Sequence, residues 1–203
     1  MLEKVKRNFK KPEGLLGKLA GKIMAAENKG LNEWTIRHLH ISPGDKVLEV
    51  GYGPGYGIDY LTKKYTDIQV DGIDVSKTMK KQAAHRLDKE IEAGEVRLLV
   101  GDIADTGLRE NHYQKVLAVN NFTLWPDKVN GLQRIFNALV PRGEIAITMQ
   151  PRQDDAKRHR TRTFARKMKQ DLKKSGFRHI RLYYKKFSPE MAVCATAIKP
   201  NKT

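Results

Sequence analysis

The chain predicts an α/β domain built on a mostly parallel sheet with an antiparallel edge. Three observations carry that expectation. Short apolar runs alternate with helical stretches five times between residues 46 and 149. The first run, KVLEV, passes directly into GYGPGYG, which places glycine at 51, 53, 55 and 57 ahead of a helical segment. The chain closes on two strand-like runs joined by Ser188-Pro189-Glu190, a hairpin signature. Parallel strands need crossover helices, whereas a tight corner sets an antiparallel pair. The sum is a seven-stranded sheet with helices on both faces.

The elements follow in order. Residues 15–27 put Leu15, Leu16, Leu19, Ala20, Ile23 and Met24 on one helical face. A second helix, LNEWTIRHL, follows Lys29-Gly30, and Ser42-Pro43-Gly44-Asp45 is a turn. Lys46 to Val50 reads as a buried strand, IDYLTKKY as a helix and IQVDGID as the second strand. Ser76 can cap one long helix in which Met79, Ala83, Leu87 and Ile91 recur at helical spacing. VRLLV and KVLAV are the third and fourth strands. Pro126 suits the first turn of a helix bearing Val129, Leu132, Phe136 and Leu139. PRGE reads as a turn and EIAITM as the fifth strand. Phe164, Met168 and Leu172 mark a basic helix closed by Gly176, before the strands FRHIRLYYKKF and MAVCATAIK.

With 203 residues the chain is long enough for one domain with a sizeable core. The expected division is an N-terminal helical extension at 1–40 and a compact domain at 41–203. The extension is either a lid over the substrate pocket or a helix docked on the sheet. No apolar run is long enough to span a bilayer, and the N-terminus lacks the apolar stretch of a signal peptide. The single cysteine, Cys194, forms no disulfide framework, so a reducing cytoplasm is expected, with the thiol as a buried structural group. The six histidines show no metal-ligand spacing. The net charge of +16 is unevenly spread, with about +5 on residues 1–22 and about +12 on residues 152–203. These flanks are either a solvated surface or a weak contact with an acidic partner, RNA or anionic lipid.

A strand that runs into a glycine loop and then a helix is the architecture of a nucleotide site. A Walker loop needs Lys-Ser/Thr after its last glycine, where this chain has Ile58-Asp59. A dinucleotide fingerprint starting at Gly51 needs a small sixth residue, where this chain has Tyr56. What stands is Glu49-x-Gly51-x-Gly53-x-Gly55. It resembles motif I of the class I S-adenosylmethionine-dependent methyltransferases, and the ordered set of later motifs resembles the same family over residues 40–200.

That resemblance implies a Rossmann-like fold with S-adenosylmethionine as cofactor and S-adenosylhomocysteine as product. It implies cofactor contacts from Glu49, Gly51, Tyr52, Gly53 and Gly55. Asp74 ends the second strand, where the family places an acid for the ribose hydroxyls. An acceptor-only carboxylate suits both of them, although Asp74 also reads as a cap or turn aspartate. Val75 and Met79 follow it, Asp102 and Ile103 sit where the family contacts adenine, and Asn120 lies beside the methionine part. FKKPEGLLGKL, GYGPG and LAVNNFTLWPD resemble the small ubiquinone/menaquinone-methyltransferase-like group.

The implied reaction is methyl transfer by in-line displacement to a small acceptor. The alternatives are an RNA or protein methyltransferase using the basic flanks, and a protein that binds the cofactor without catalysis. Asn120-Asn121-Phe122-Thr123 departs from the Asn/Asp-Pro-Pro-aromatic motif of enzymes that methylate base amines. Cys194, in the last strand, does not suit a cytosine C5 nucleophile. No general base is assigned. His38 and His40 are the better histidine candidates, since N-terminal elements cover this site in the family. Trp125 is either a wall for the acceptor or part of the core.

Overall fold

The computed structural model describes residues 29–151, 158–187 and 190–201. The amphipathic stretch at 15–27, most of the expected 1–40 extension, and the Ser188-Pro189 corner lie outside the described residues. Helix α1 spans 29–36. There follow β1 (Lys46–Val50), α2 (Tyr56–Lys64), β2 (Gln69–Asp74), α3 (Lys77–Arg86), α4 (Asp88–Glu92), β3 (Val96–Val100) and β4 (Tyr113–Val119). After a 3-10 turn at Phe122–Leu124 come α5 (Lys128–Ala138), β5 (Leu139–Met149), α6 (Arg158–Lys174), β6 (Arg178–Lys186) and β7 (Met191–Ile198).

The strands form one seven-stranded sheet in the order β3-β2-β1-β4-β5-β7-β6. The first five pair in parallel, and β7 runs antiparallel to both β5 and β6. Strand alternation sends side chains to two cores. Leu48, Val50, Val116, Ala118, Ile145 and Ile147 face one, which α5 and α6 cover with Leu132, Ile135, Ala165, Met168 and Leu172. Val47, Val70, Leu117, Val119 and Ala146 face the other, which α1, α2 and α3 cover with Leu31, Trp34, Ile58, Leu61 and Ala83. Helices therefore lie on both faces. The strand order reverses between β1 and β4, and a crevice opens at the carboxyl ends of these two strands.

Three local expectations are corrected. The long helix after Ser76 is two helices, broken at Leu87, whose side chain is fully buried and packs with Ala83 against Gly55. Ser76 itself caps as expected, its Oγ accepting from the Met79 N–H at 3.2 Å. Pro126 stands before α5 rather than in its first turn; Asp127 is the cap and accepts from the Asn130 N–H at 3.0 Å. PRGE is not a turn ahead of a strand but a bulge within β5. Tyr113 pairs with Leu139 and Lys115 with Glu144, so the intervening β5 residues loop out, and Arg142 takes φ 65°. The bulge is held by β7's continuation, with Arg142 N–H donating to Lys199 O and Lys199 N–H to Gly143 O.

Candidate active site at the carboxyl ends of the strands

The glycine loop leaves β1 at the point where the strand order reverses. Gly51, Gly53 and Gly55 all have positive φ, 72°, 52° and 83°, so the loop turns sharply back into α2. The bareness of the four glycines has different causes. A Cβ at Gly51 would strike the Asn121 side chain, one at Gly57 the Glu49 carboxyl group, and one at Gly55 Ala83 and Leu87. Only at Gly53 is the space open. Most of the glycine requirement is therefore set by the protein's own packing.

Glu49 alternates with Leu48 and Val50 along β1, so its side chain points to the α2 face of the sheet. Its carboxyl group lies against Gly57 in the first turn of α2 and is 2% exposed. Oε2 has no hydrogen-bond partner among the described residues. Burial, and then the nearby charge of Asp74, push its pKa up to about 8. Glu49 shares a small cleft with Asn32, Gly51, Tyr52, Gly53, Pro54, Tyr56 and Val119. Asn32 is the contribution of α1. Sequence reading missed it, although an asparagine on the buried side of an otherwise apolar helix face was the available signal.

Asp74 ends β2 with both carboxylate oxygens engaged. Oδ2 accepts from the Gly53 N–H at 2.9 Å and Oδ1 from the Ser76 N–H at 2.8 Å. Each oxygen keeps a further acceptor direction. Val75 beside it is 71% exposed, an apolar side chain at the mouth of the crevice. Met79 is half-buried one turn into α3. Arg86, at the end of α3, donates from Nε to Pro54 O at 3.0 Å and stacks its guanidinium 3.8 Å from the centre of the Tyr56 ring. It clamps the glycine loop from outside.

The remaining predicted residues divide between the site and its frame. The Tyr52 ring is buried beneath the sheet, in contact range of Gly72, and its hydroxyl donates to Leu99 O at 3.1 Å. Its backbone borders the cleft. Asp102 Oδ1 accepts from the Ala104 N–H at 2.8 Å, which orders the turn after β3. The Ile103 side chain sits in the core near Gly131, and the residue is buried. Asn120, at φ 56°, accepts at Oδ1 from the Gln150 N–H at 2.8 Å and so ties β4 to β5.

Asn121 was read only as part of a motif, yet it is the joint of the site. Its Nδ2 donates to Val50 O at 2.5 Å, and its Oδ1 accepts from the Trp125 indole N–H at 3.0 Å. Trp125 is thereby settled in the core, edge-on to Phe122, and does not wall the crevice. The two candidate histidines are also placed elsewhere. His40 pairs with Glu144 at 3.1 Å, at the amino ends of the strands, opposite the glycine loop. His38 stacks on Tyr183 at 4.1 Å and stands edge-on to Trp34. A larger cleft of about 450 Å³ lies at the amino ends, lined by Glu110, Asn111, Phe136, Asn137 and Lys199. It is remote from the glycine loop, and Lys199 Nζ there donates to Leu139 O at 2.6 Å and Asn111 Oδ1 at 2.9 Å. The described residues hold no cluster of His, Cys, Asp and Glu suited to a metal ion. None of their helices is long and apolar enough to cross a membrane.

A methyltransferase-domain family model matches residues 47–143. Over 182 residues, 90% of this chain and 98% of the relative, the sequence is 47% identical to the uncharacterized methyltransferase YdaC of Bacillus subtilis (strain 168). Trans-aconitate 2-methyltransferase of Rhodopseudomonas palustris (strain BisA53) is 30% identical over 113 residues, 54% of this chain and 40% of that enzyme. Among solved structures, phosphoethanolamine N-methyltransferase 2 of Haemonchus contortus, complexed with phosphomonomethylethanolamine and S-adenosylhomocysteine, shares the fold at TM-score 0.70 and 19% identity. The match covers 85% of this chain and 53% of that one. A SAM-dependent methyltransferase from Aquifex aeolicus shares it at TM-score 0.68 and 19% identity, over 82% and 88% of the two chains. The chain belongs to the class I S-adenosylmethionine-dependent methyltransferases.

Proposed function

We propose that the chain moves the methyl group of S-adenosylmethionine to a small-molecule acceptor, in the crevice between the glycine loop and the loop after β4. The observation that carries the donor site is the buried Glu49 Oε2, left without a hydrogen-bond partner among the described residues beside the glycine loop. Helix α1 brings Asn32 to the same small space. The names of two relatives, trans-aconitate 2-methyltransferase and phosphoethanolamine N-methyltransferase, point to small acceptors.

The described residues fit the donor. Asp74, already oriented by two backbone N–H groups, has acceptor directions left for the ribose hydroxyls. The unpartnered Glu49 Oε2 suits the ammonium of the methionine part, and Asn120 follows β4, the strand next to β1. Gly51, Gly53 and Gly55 offer backbone at close approach. Val75 and Met79 offer apolar surface to the adenine, with Asp102 and the Ile103 backbone at its edge. The bound donor supplies a methyl carbon on a positively charged sulfur. The chain's own contribution is to hold that carbon in line with the acceptor and to exclude water.

The test is incubation of the purified protein with methyl-labelled S-adenosylmethionine and fractionated cell extract. Label in the small-molecule fraction is expected. Label in RNA or protein alone contradicts the small-acceptor reading.

A further inference from the structure

Helix α6 has a second face that the methyl-transfer site does not use. Its inner face, Thr161, Ala165, Met168 and Leu172, is buried against the sheet at spacings of four, three and four residues. Arg162, Arg166, Lys169 and Lys173 repeat the same spacing one position on, and all four are exposed. They form a basic row about 16 Å long at helical rise. On the neighbouring edge strand β6, Leu182, Tyr184 and Lys186 share the α6 side by alternation, so β6 adds exposed Lys186 to this face, while Arg181 and Lys185 project to the other side of the sheet. Among the described residues no carboxylate pairs with Arg162, Arg166, Lys169 or Lys173, whereas Lys167 on the same helix pairs with Asp171.

Such a row is electrostatically costly without a counter-charge, since like charges four apart on a helix repel. We propose that the α6–β6 face binds the sugar–phosphate backbone of a single-stranded nucleic acid, apart from the methyl-transfer crevice. The row places four cations within about 16 Å of a partner that carries one charge per ~3.4 Å of strand. Arginine suits phosphate through its planar fork of donors. A membrane surface is the poorer match. A helix that lies in a bilayer interface inserts an apolar side, and the apolar side of α6 is consumed in the core. Among the described residues Tyr184 is a large exposed ring on this face, and a ring suits base stacking. Contacts of this kind position a strand and carry no sequence preference.

The test uses a fluorescent 20-nucleotide single-stranded RNA of mixed sequence, and vesicles of 30% phosphatidylglycerol in phosphatidylcholine, at several salt concentrations. The wild-type chain is expected to bind the RNA more tightly than the vesicles, with affinity falling steeply as salt rises; neutralising about four phosphates gives a log–log slope near −3. Reversal of Arg162, Arg166 and Lys169 to glutamate is expected to weaken RNA binding by about 30-fold or more and to flatten that slope. Reversal of the exposed Lys80, Lys81 and Lys89 makes the same change in net charge and is expected to alter affinity less than about threefold. If the glutamate variant loses its circular dichroism, the glutamine variant at the same three positions is read instead, with loss of RNA binding again expected. Equal losses from the two reversals, vesicle binding that matches RNA binding, or no RNA binding by the wild type each overturn the proposal.

Discussion

Glu49 is a buried carboxylic acid with one oxygen left unpaired, and two measurable effects follow. Its pKa in the folded chain, about 8, lies above the usual value of 4.5. The folded state therefore holds a proton that the unfolded state releases between those values. The stability linked to Glu49 is complete below about pH 4.5 and is lost as pH rises through about 8. The fall is on the order of a few kcal/mol, and Glu49→Gln is expected to flatten it in denaturation curves taken across that range. A cationic ammonium placed beside Glu49 would reverse the balance and expel the proton. At pH 7, S-adenosylhomocysteine binding is then expected to release close to one proton, measured by calorimetry in buffers of different ionisation enthalpy, and Glu49→Gln to release none. Asp74 gives a second test at the same scale. Hydrogen bonds to charged groups contribute about 1.5–3 kcal/mol each. Asp74→Ala is expected to weaken cofactor binding on the order of 100-fold. A change below about threefold, with circular dichroism intact, would remove it as the ribose ligand.

At the scale of elements, the site is a junction of four loops rather than one motif. The glycine loop is tied inward by Asn121 and Asp74, and outward by Arg86. Arg86→Ala removes both the bond to Pro54 O and the stack on Tyr56. It is expected to weaken cofactor binding about threefold to tenfold with the fold unchanged, and Arg86→Lys to restore only part, because an ammonium lacks the planar stack. Unchanged affinity in Arg86→Ala would show that the loop keeps its shape without the clamp. These ties mark the boundary of what the sequence made legible. The strand and helix alternation, the Ser76 cap and the closing hairpin were readable, because each depends on neighbours in the chain. Asn121 reaching Val50, and Glu49 filling the space above Gly57, join residues that only the folded sheet brings together. The four glycines announced a crowded loop, but the crowding comes largely from Asn121, Glu49, Ala83 and Leu87. The PRGE bulge was missed for the same reason, since it is held by backbone bonds to the distant Lys199.

At the scale of the molecule, charge and chemistry occupy different parts of one sheet. The cleft with Glu49, Asn32 and the glycine loop lies where the strand order reverses, and the basic row of α6 lies on a helix covering the far half of the sheet. His38 and His40, readable as base candidates from their position ahead of motif I, fold onto the β6 side and the amino ends instead. Sequence distance from a motif said little about which end of a strand a residue would reach. The central claim is that this crevice holds S-adenosylmethionine through the glycine loop, Glu49 and Asp74. Isothermal titration of the wild-type chain with S-adenosylmethionine, S-adenosylhomocysteine and NAD tests it most directly. Saturable binding of both sulfur nucleosides, with no heat from NAD, is the predicted result; tight NAD binding with no response to either sulfur nucleoside would contradict it.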